Sequence, residues 1–334
     1  MRIGLAYDLK ETVGQALSGP EDALEEYDSA ETVELIARSL EIQGHGVVML
    51  GGGREFLRRI LEEPVDFVFN IAEGRGTYRS REAQVPSILE MLGVPYSGSD
   101  PQCLAICLDK PLTKTLVGAS GVRTPCFRVV ESGSQLGAIP WSEFSFPVII
   151  KPAYEGSSKG IRLASLAESP KEAEGLVREL LERYQQPMMV EEFISGEEVT
   201  VGVVGNSPPA VVGVMRVVPR QKRDHFVYSL EVKRDWKNLV DYECPAQVGE
   251  EVIGEISSLS LRAFETLGCR DCARVDFRVS PEGLPYFIEI NPLPGLGIHS
   301  DLYIMATAMG WSHSQLVGGI LNAALRRYPQ CASV

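Results

Sequence analysis

The stretch CARVDFRVSPEGLPYFIEINPLPG, Cys272 to Gly295, holds two β-strands around the turn SPEGLP. Side chains alternate across a strand, so Arg274, Asp276 and Arg278 share one face and Val275, Phe277 and Val279 the other. On the second strand Phe287, Glu289 and Asn291 are expected on one face, with Ile288 and Ile290 on the opposite one. If Pro281 to Leu284 form the loop, Asp276 lies across from Glu289 and Arg274 across from Asn291. Carboxylates so placed sit roughly 5 Å apart. At an effective dielectric of about 20 they repel by about 3 kcal/mol. A cation or a shared proton must offset this. Two carboxylates and an amide oxygen on a rigid hairpin suit magnesium, which keeps waters and takes further ligands from phosphates. The plainer alternative is a solvated face on which Arg274 and Arg278 neutralise the acids.

Upstream, no GxxxxGK[ST] occurs. KPAYEGSSKG, Lys151 to Gly160, follows the apolar run FPVII and precedes the strand-like GIRLAS. Its small residues let the backbone approach phosphate oxygens, Ser157 and Ser158 add hydroxyl donors, and Lys151 is a fixed positive charge at a strand end. A flexible polar turn is the alternative. MMVEEFI, EVTVGVVG and AVVGVMRVVP read as further strands. Helices are expected over Pro170 to Tyr184, Gly249 to Leu267 and SHSQLVGGILNAALRR, and helical stretches run up to Gly121.

The first hundred residues alternate differently. RIGLAY, VVML and VDFVFNI are strand-like, and between them lie helical stretches: one capped at Asp28 with Glu31 as partner and stopping at Gly44, then REFLRRILEE. A helix from Glu82 to Leu92, ending at Gly93, follows the last of these strands. This β-α-β-α-β order predicts a small parallel-sheet domain. The chain has 334 residues, enough for two or three domains. It is 44% hydrophobic and 23% charged, without an apolar run long enough to span a bilayer. MRIGLAYDLK lacks the pattern of a signal peptide, so a cytoplasmic address is expected. The net charge of −13 argues against general affinity for nucleic acid or anionic membrane. Seven cysteines read as reduced thiols. Cys269 and Cys272, in CRDC, lack the second pair that a zinc or redox site would want, and read as ordinary buried cysteines.

Taken in order, VPYSGS, LDKPLTK, VIIKPAYEGSSKG, VEEFISGEEVTVGVVG, YECPA, CARVDFRV and FIEINPLPG followed by HS resemble the ATP-grasp enzymes, and among them the D-alanine–D-alanine ligase family. The resemblance covers Gly93 to about Ile320. It implies an α/β and α+β chain with the ATP-grasp fold: an N-terminal α/β domain over 1–105, a central subdomain over 106–195, and a C-terminal subdomain over 196–334. The last of these carries the metal site and a mobile lid at about 221–242. The implied activity is an ADP-forming carboxylate–amine ligation through an acyl phosphate. The implied cofactors are ATP and two magnesium ions, with manganese as a substitute. Small amino-acid or amine substrates are implied, as is a homodimer.

At matching positions the resemblance gives Lys110, Lys151 and Ser158 to the ATP phosphates, Glu191 and Ile194 to the adenine, and Glu198 to the ribose. It gives Asp276, Glu289 and Asn291 to magnesium. Arg274 would stabilise the transferring phosphoryl group, Lys233 would reach the γ-phosphate from the lid, and Ser157 would help close the site. Gly295 and Ser300 would meet the second substrate's carboxylate and the oxyanion.

The first domain departs from the family pattern. AYDLKETVGQALSGPEDALEEYDS replaces the usual Gly-rich turn, and Glu25, Glu26 or Asp28 could supply the carboxylate for an ammonium, unless the acids merely cap a helix. AEGRGTYRSRE puts Glu73 where the family has His, and Arg234 replaces the lid aromatic after the lysine. Arg75, Arg79, Arg81 and Arg234 could receive a larger or more anionic substrate than D-alanine, or serve only surface solubility. The alternatives are a true D-alanine–D-alanine ligase of peptidoglycan synthesis and a non-catalytic ATP-binding grasp protein. A Rossmann dehydrogenase is disfavoured because no GxGxxG follows RIGLAY.

Overall fold

The structure, a computed structural model, describes residues 1–14, 19–221 and 224–331. Three sheets organise it. The first third contains β1 (Arg2–Ala6), α1 (Lys10–Gly14), α2 (Ala30–Ile42), β2 (Gly46–Gly51), α3 (Gly53–Glu62), β3 (Phe67–Asn70) and α4 (Gln84–Leu92). Its three strands pair in parallel in the order β2-β1-β3, because each is followed by a helical crossover. The cap of α2 is Ser29, whose hydroxyl accepts from Thr32 N–H, and not the expected Asp28. The Asp28 backbone is taken by a bridge to Leu9, which leaves its carboxylate free to face a cavity.

Next come α5 (Pro101–Leu108), α6 (Lys110–Ala119), β4 (Phe127–Val130), β5 (Val148–Pro152), β6 (Leu166–Ala167), α7 (Pro170–Tyr184) and β7 (Met188–Glu192). These strands form an antiparallel sheet of order β4-β7-β5-β6. GIRLAS is a turn and a short 3-10 helix, and only Leu166 and Ala167, just beyond it, pair as a strand. The remainder comprises β8 (Glu197–Val204), β9 (Ala210–Pro219), α8 (Leu230–Arg234), α9 (Trp236–Leu239), β10 (Val240–Glu243), α10 (Glu250–Thr266), β11 (Cys272–Val279), β12 (Pro285–Asn291), α11 (Asp301–Ala308) and α12 (His313–Leu325). Its five strands are antiparallel in the order β10-β9-β8-β11-β12. No helix among the described residues is long and apolar enough to cross a membrane.

Each sheet buries one face on helices. Val148, Ile150 and Val190 pack on α7 through Val177, and Val201, Val275 and Phe277 pack on α10 through Ile256 and Phe264. The first sheet's core is completed from the far end of the chain: Ile3, Leu5 and Phe67 join Leu302 and Met305 of α11 and Leu316 and Ile320 of α12.

The β11–β12 hairpin keeps the expected polar pairs by an unexpected route. Val279 pairs with Pro285, so the loop is one residue longer than read, and a bulge at Ile288 restores the register. The two departures cancel, and Asp276 faces Glu289 while Arg274 faces Asn291. They do not cancel between loop and bulge. Phe287, expected beside Glu289, is fully buried against Phe277 with the ring centroids 6.0 Å apart. Ile288 instead lines the cleft. Burying an aromatic ring is worth roughly 2–3 kcal/mol, which the uninterrupted alternation would have forfeited.

Candidate active site

A cleft opens between the four-stranded and five-stranded sheets, and β11 and β12 form its polar floor. Arg274 Nη2 donates to Asp276 Oδ2 at 2.8 Å and reaches Glu289 Oε1 at 3.4 Å. Lys110 Nζ lies 3.4 Å from Glu289 Oε2. Burial opposes the charge of Glu289, but Lys110, Arg274 and other nearby cations outweigh it and hold this carboxyl well below the usual range. Burial raises Asp276, with Arg274 opposing and Glu289 adding to the rise. Opposite shifts are what two facing carboxylates produce. Asn291 Oδ1 accepts from Leu293 N–H at 2.8 Å, which fixes the amide and leaves the oxygen a second lone pair. These hard oxygens on one face fit magnesium.

Lys151, at the end region of β5, donates to Glu191 Oε2 at 2.6 Å. Lys114 reaches Glu191 Oε1, also at 2.6 Å. Glu191 is buried, yet the two ammonium groups hold its carboxyl below the usual range, while burial lowers Lys114 to about 8. The carboxylate expected at the adenine is thus committed to two lysines. Lys114 is a site residue that the motif reading missed, although LDKPLTK carried the signal: Lys110 and Lys114 are four apart on one helix and so share a face. Ile194, Glu198 and Ser158 line the same cleft, whose free volume is about 70 Å³. Arg278, expected to neutralise the metal-face acids if no metal binds, instead pairs with Glu198 at 2.7 Å.

The loop KPAYEGSSKG is shaped by two consecutive left-handed residues, Ser157 (φ 50°) and Ser158 (φ 59°). They diverge. Ser158 lines the cleft between the sheets and Ser157 a second cavity of about 540 Å³. Gly295, Ser300, Glu25 and Arg234 line this second cavity, and Lys233, Arg274, Tyr228 and Asp301 line both. Ser300 caps α11 by accepting from Tyr303 N–H.

Glu25 and Arg234, each a candidate substrate contact, bind one another at 2.7 Å. The basic residues of AEGRGTYRSRE do not line the cavity. Arg75 pairs with Asp8 at 2.8 Å and Arg79 lies 3.5 Å from Asp109. Arg81 is buried, donating to Glu26 at 2.6 Å and Glu155 at 3.2 Å. Glu26 also meets Lys159 at 2.9 Å, so it secures the phosphate loop to the first domain. Four carboxyl or ammonium side chains line the cavity without an ion-pair partner among the described residues: the acids Asp28, Glu31 and Glu73, and Lys233; burial pushes the Glu73 carboxyl up.

The expected lid carries more regular structure than its composition suggests, since α8, α9 and all but the last residue of β10 fall within it; Lys222 and Arg223 lie outside the described residues. Lys233 Nζ stands 5.1 Å from the Tyr228 ring centroid. Trp236 packs on His299 with the rings 5.2 Å apart, against the loop that carries Gly295. All seven cysteines are free. Cys269 and Cys272 enter different cores, and Cys269 meets Cys103 (Sγ to Sγ 3.6 Å) in an apolar surround.

Comparison with known proteins agrees with this geometry. Residues 127–322 match the family described as D-ala D-ala ligase C-terminus. The uncharacterized protein y4sG of Sinorhizobium fredii is 34% identical, over 88% of this chain and 87% of its own length. The D-alanine–D-alanine ligase of Aquifex aeolicus is 32% identical over 88% and 94%. Among solved structures, the D-alanine–D-alanine ligase of Bacillus anthracis complexed with ATP superposes with a TM-score of 0.77 at 23% identity, covering 99% of each chain. The VanG D-Ala:D-Ser ligase of Enterococcus faecalis gives 0.73 at 21%, covering 97% of this chain and 99% of its own. The chain belongs to the D-alanine–D-alanine ligase family of ATP-grasp, ADP-forming carbon–nitrogen ligases.

Proposed function

We propose that this chain joins the carboxylate of one small substrate to the amine of another through an acyl phosphate, and that the pair is not two D-alanines. The observation that carries the ligase chemistry is the meeting of the nucleotide cleft and the larger cavity at Lys233 and Arg274. A carboxylate is a poor electrophile at neutral pH. Its oxygen would attack the γ-phosphorus of ATP and ADP would leave. The amine would then attack the acyl carbon, and phosphate would leave with the bonding electron pair. Arg274 and Lys233 supply positive charge where both steps develop negative charge. Asp276, Glu289 and Asn291 would hold magnesium, which neutralises phosphate charge. A binder without chemistry would have little use for Arg274 at this junction.

An acyl phosphate hydrolyses readily, so water must be kept out. The segment 221–242 is suited to that task, with Lys233, Arg234 and Trp236 directed over the larger cavity. Three units, 1–105, 106–195 and 196–334, would close on the substrates, the first cut falling within α5. We assign the protein to the cytoplasm, as a homodimer acting on small molecules and not on nucleic acid or membrane.

The altered substrate rests on the cavity. At about 540 Å³ it falls in the range of sites for drug-sized ligands. Its acids without an ion-pair partner among the described residues, Asp28, Glu31 and Glu73, outnumber its one such cation, Lys233, whereas the arginines once open to an anionic partner are already paired. The complement is a partner bulkier and more cationic than alanine. The true D-alanine–D-alanine ligase is favoured by the family match itself. The deciding experiment measures ADP release with ATP and magnesium over D- and L-amino acids, singly and in pairs, with mass spectrometry of products. We expect turnover with pairs that include a basic amino acid or diamino acid, abolished by EDTA. Robust D-alanyl-D-alanine synthesis would overturn the altered specificity and leave the ligase assignment standing.

A further inference from the structure

At the end of the nucleotide cleft away from the metal face, Arg278 gathers contacts from three segments. The alternation of β11 puts it on the same side as Arg274 and Asp276, yet it touches neither facing carboxylate. Its guanidinium centre lies 4.4 Å from the Phe193 ring centroid. Nη1 donates to Glu198 Oε2 at 2.7 Å and to Phe226 O at 2.9 Å. Nη2 donates to Gly196 O at 2.9 Å, and Nε donates to Ile194 O. The residue is 6% exposed. One planar fork thus ties the turn from β7 to β8, the start of β8 and the segment 221–242 to its own strand β11.

A lysine could not do this, because its donors radiate from a single point. With the Ile194 and Gly196 carbonyls held by Arg278, the 194–195 and 196–197 peptides have little freedom to rotate, and Phe193, stacked under the guanidinium and donating its N–H to Pro147 O, holds the chain just before Ile194. The Ile194 N–H makes no backbone hydrogen bond among the described residues and belongs to the wall of the cleft. Gly196 (φ 118°) adds to the fixation: a Cβ there would stand 2.0 Å from Val279 O, so this turn packs directly on β11. Glu198 uses one oxygen on Arg278, which leaves the other to accept from a ligand hydroxyl.

We propose that Arg278 is the positioning residue of the nucleotide site, holding the Ile194 main chain to read a base and the Glu198 carboxylate to read ribose hydroxyls. This rests on the cleft being the ATP site. Selectivity for the nucleoside should therefore depend on a residue that touches no phosphate.

The test uses the full chain with magnesium. Binding of ATP, 2′-deoxy-ATP and GTP is measured by calorimetry for wild type, Arg278→Met and Arg278→Lys, alongside KM and kcat for ADP formation. Methionine keeps the packing on Phe193 and removes every hydrogen bond. Loss of a set of charge-assisted bonds should weaken ATP binding by about tenfold or more. The preference for ATP over 2′-deoxy-ATP should nearly vanish, KM for ATP should rise, and kcat should change far less. Lysine, able to pair with Glu198 alone, should recover part of the ribose preference and little of the base preference.

If Arg278→Met does not fold, Arg278→Lys, Glu198→Gln and their double variant decide the matter. Coupled residues should lose less ribose preference together than the sum of the single losses. Unchanged nucleotide preferences in Arg278→Met, or additive losses in the double variant, would overturn the proposal. A wild type that binds no ATP would overturn the ligase assignment and this inference with it.

Discussion

Asp28 shows how one misplaced cap becomes a site residue. Ser29 caps α2, so the Asp28 carboxylate faces the larger cavity. Burial, and next the Asp8 carboxylate, push it up to about 7. A raised acid is neutral below that value and ionised above it, and a cationic ligand binds only the ionised form well. Affinity for a basic substrate should therefore tighten as pH rises from 6 to 8, by up to about tenfold for one unit of coupling. Calorimetry in buffers of differing ionisation enthalpy should also show proton release on binding at pH 7. Asp28→Asn should flatten the pH dependence and weaken binding at pH 8. If wild-type affinity does not change over that range, Asp28 is not the docking group. At the metal face the equivalent change, Asp276→Asn, should cost ADP formation about 100-fold or more, since it removes a charged ligand and frees Arg274 from its partner.

Among the elements, the segment 221–242, proposed as a lid, is held over the larger cavity by contacts that are individually weak. Arg234 on α8 binds Glu25 at the edge of the first domain, and both side chains keep some solvent contact, 45% and 18%. Such pairs contribute roughly 0–1 kcal/mol, so Arg234→Ala should barely move the melting temperature. It should instead loosen closure. The expected signature is ADP release that outpaces amide product, as water reaches the acyl phosphate, measured by comparing ADP with product by mass spectrometry. A variant that remains fully coupled would show that the Arg234–Glu25 contact plays no part in closing the site. The phosphate loop is held more firmly, because Gly160 N–H donates to Asp22 at 2.9 Å and Lys159 to Glu26.

For the whole molecule, the buried cluster of Glu26, Arg81, Glu155 and Lys159 joins the first domain to the phosphate loop. Replacing such a cluster with apolar residues can be neutral, but removing one member strands the others. Glu26→Ala should cost about 3–5 kcal/mol of unfolding free energy by leaving Arg81 and Lys159 undercompensated. Chemical denaturation checks this, and a loss under 1 kcal/mol would mean that Glu155 and water satisfy both cations.

Much of this architecture was legible locally. Alternating apolar residues set the strands, Gly44, Gly93 and Gly121 follow helix ends in the left-handed region, and CARVDFRV with FIEIN announced the facing polar pairs Asp276–Glu289 and Arg274–Asn291, because period-two alternation is a property of the strand itself. The bulge at Ile288 escaped detection, since it arises from the demand that Phe287 reach the core on Phe277. Lys114 escaped as well, for its role depends on Glu191, which lies 77 positions away and meets it only once α6 has packed on β12. By itself, then, the sequence determined the strands, the facing polar pairs of β11 and β12 and the family, each carried by short-range order. Only the tertiary structure decided which charges remain in the larger cavity. Pairing across more than fifty residues consumed Arg75, Arg81 and Arg234 and left Asp28 and Glu73 without ion-pair partners among the described residues, and no local pattern records which opposite charges will meet.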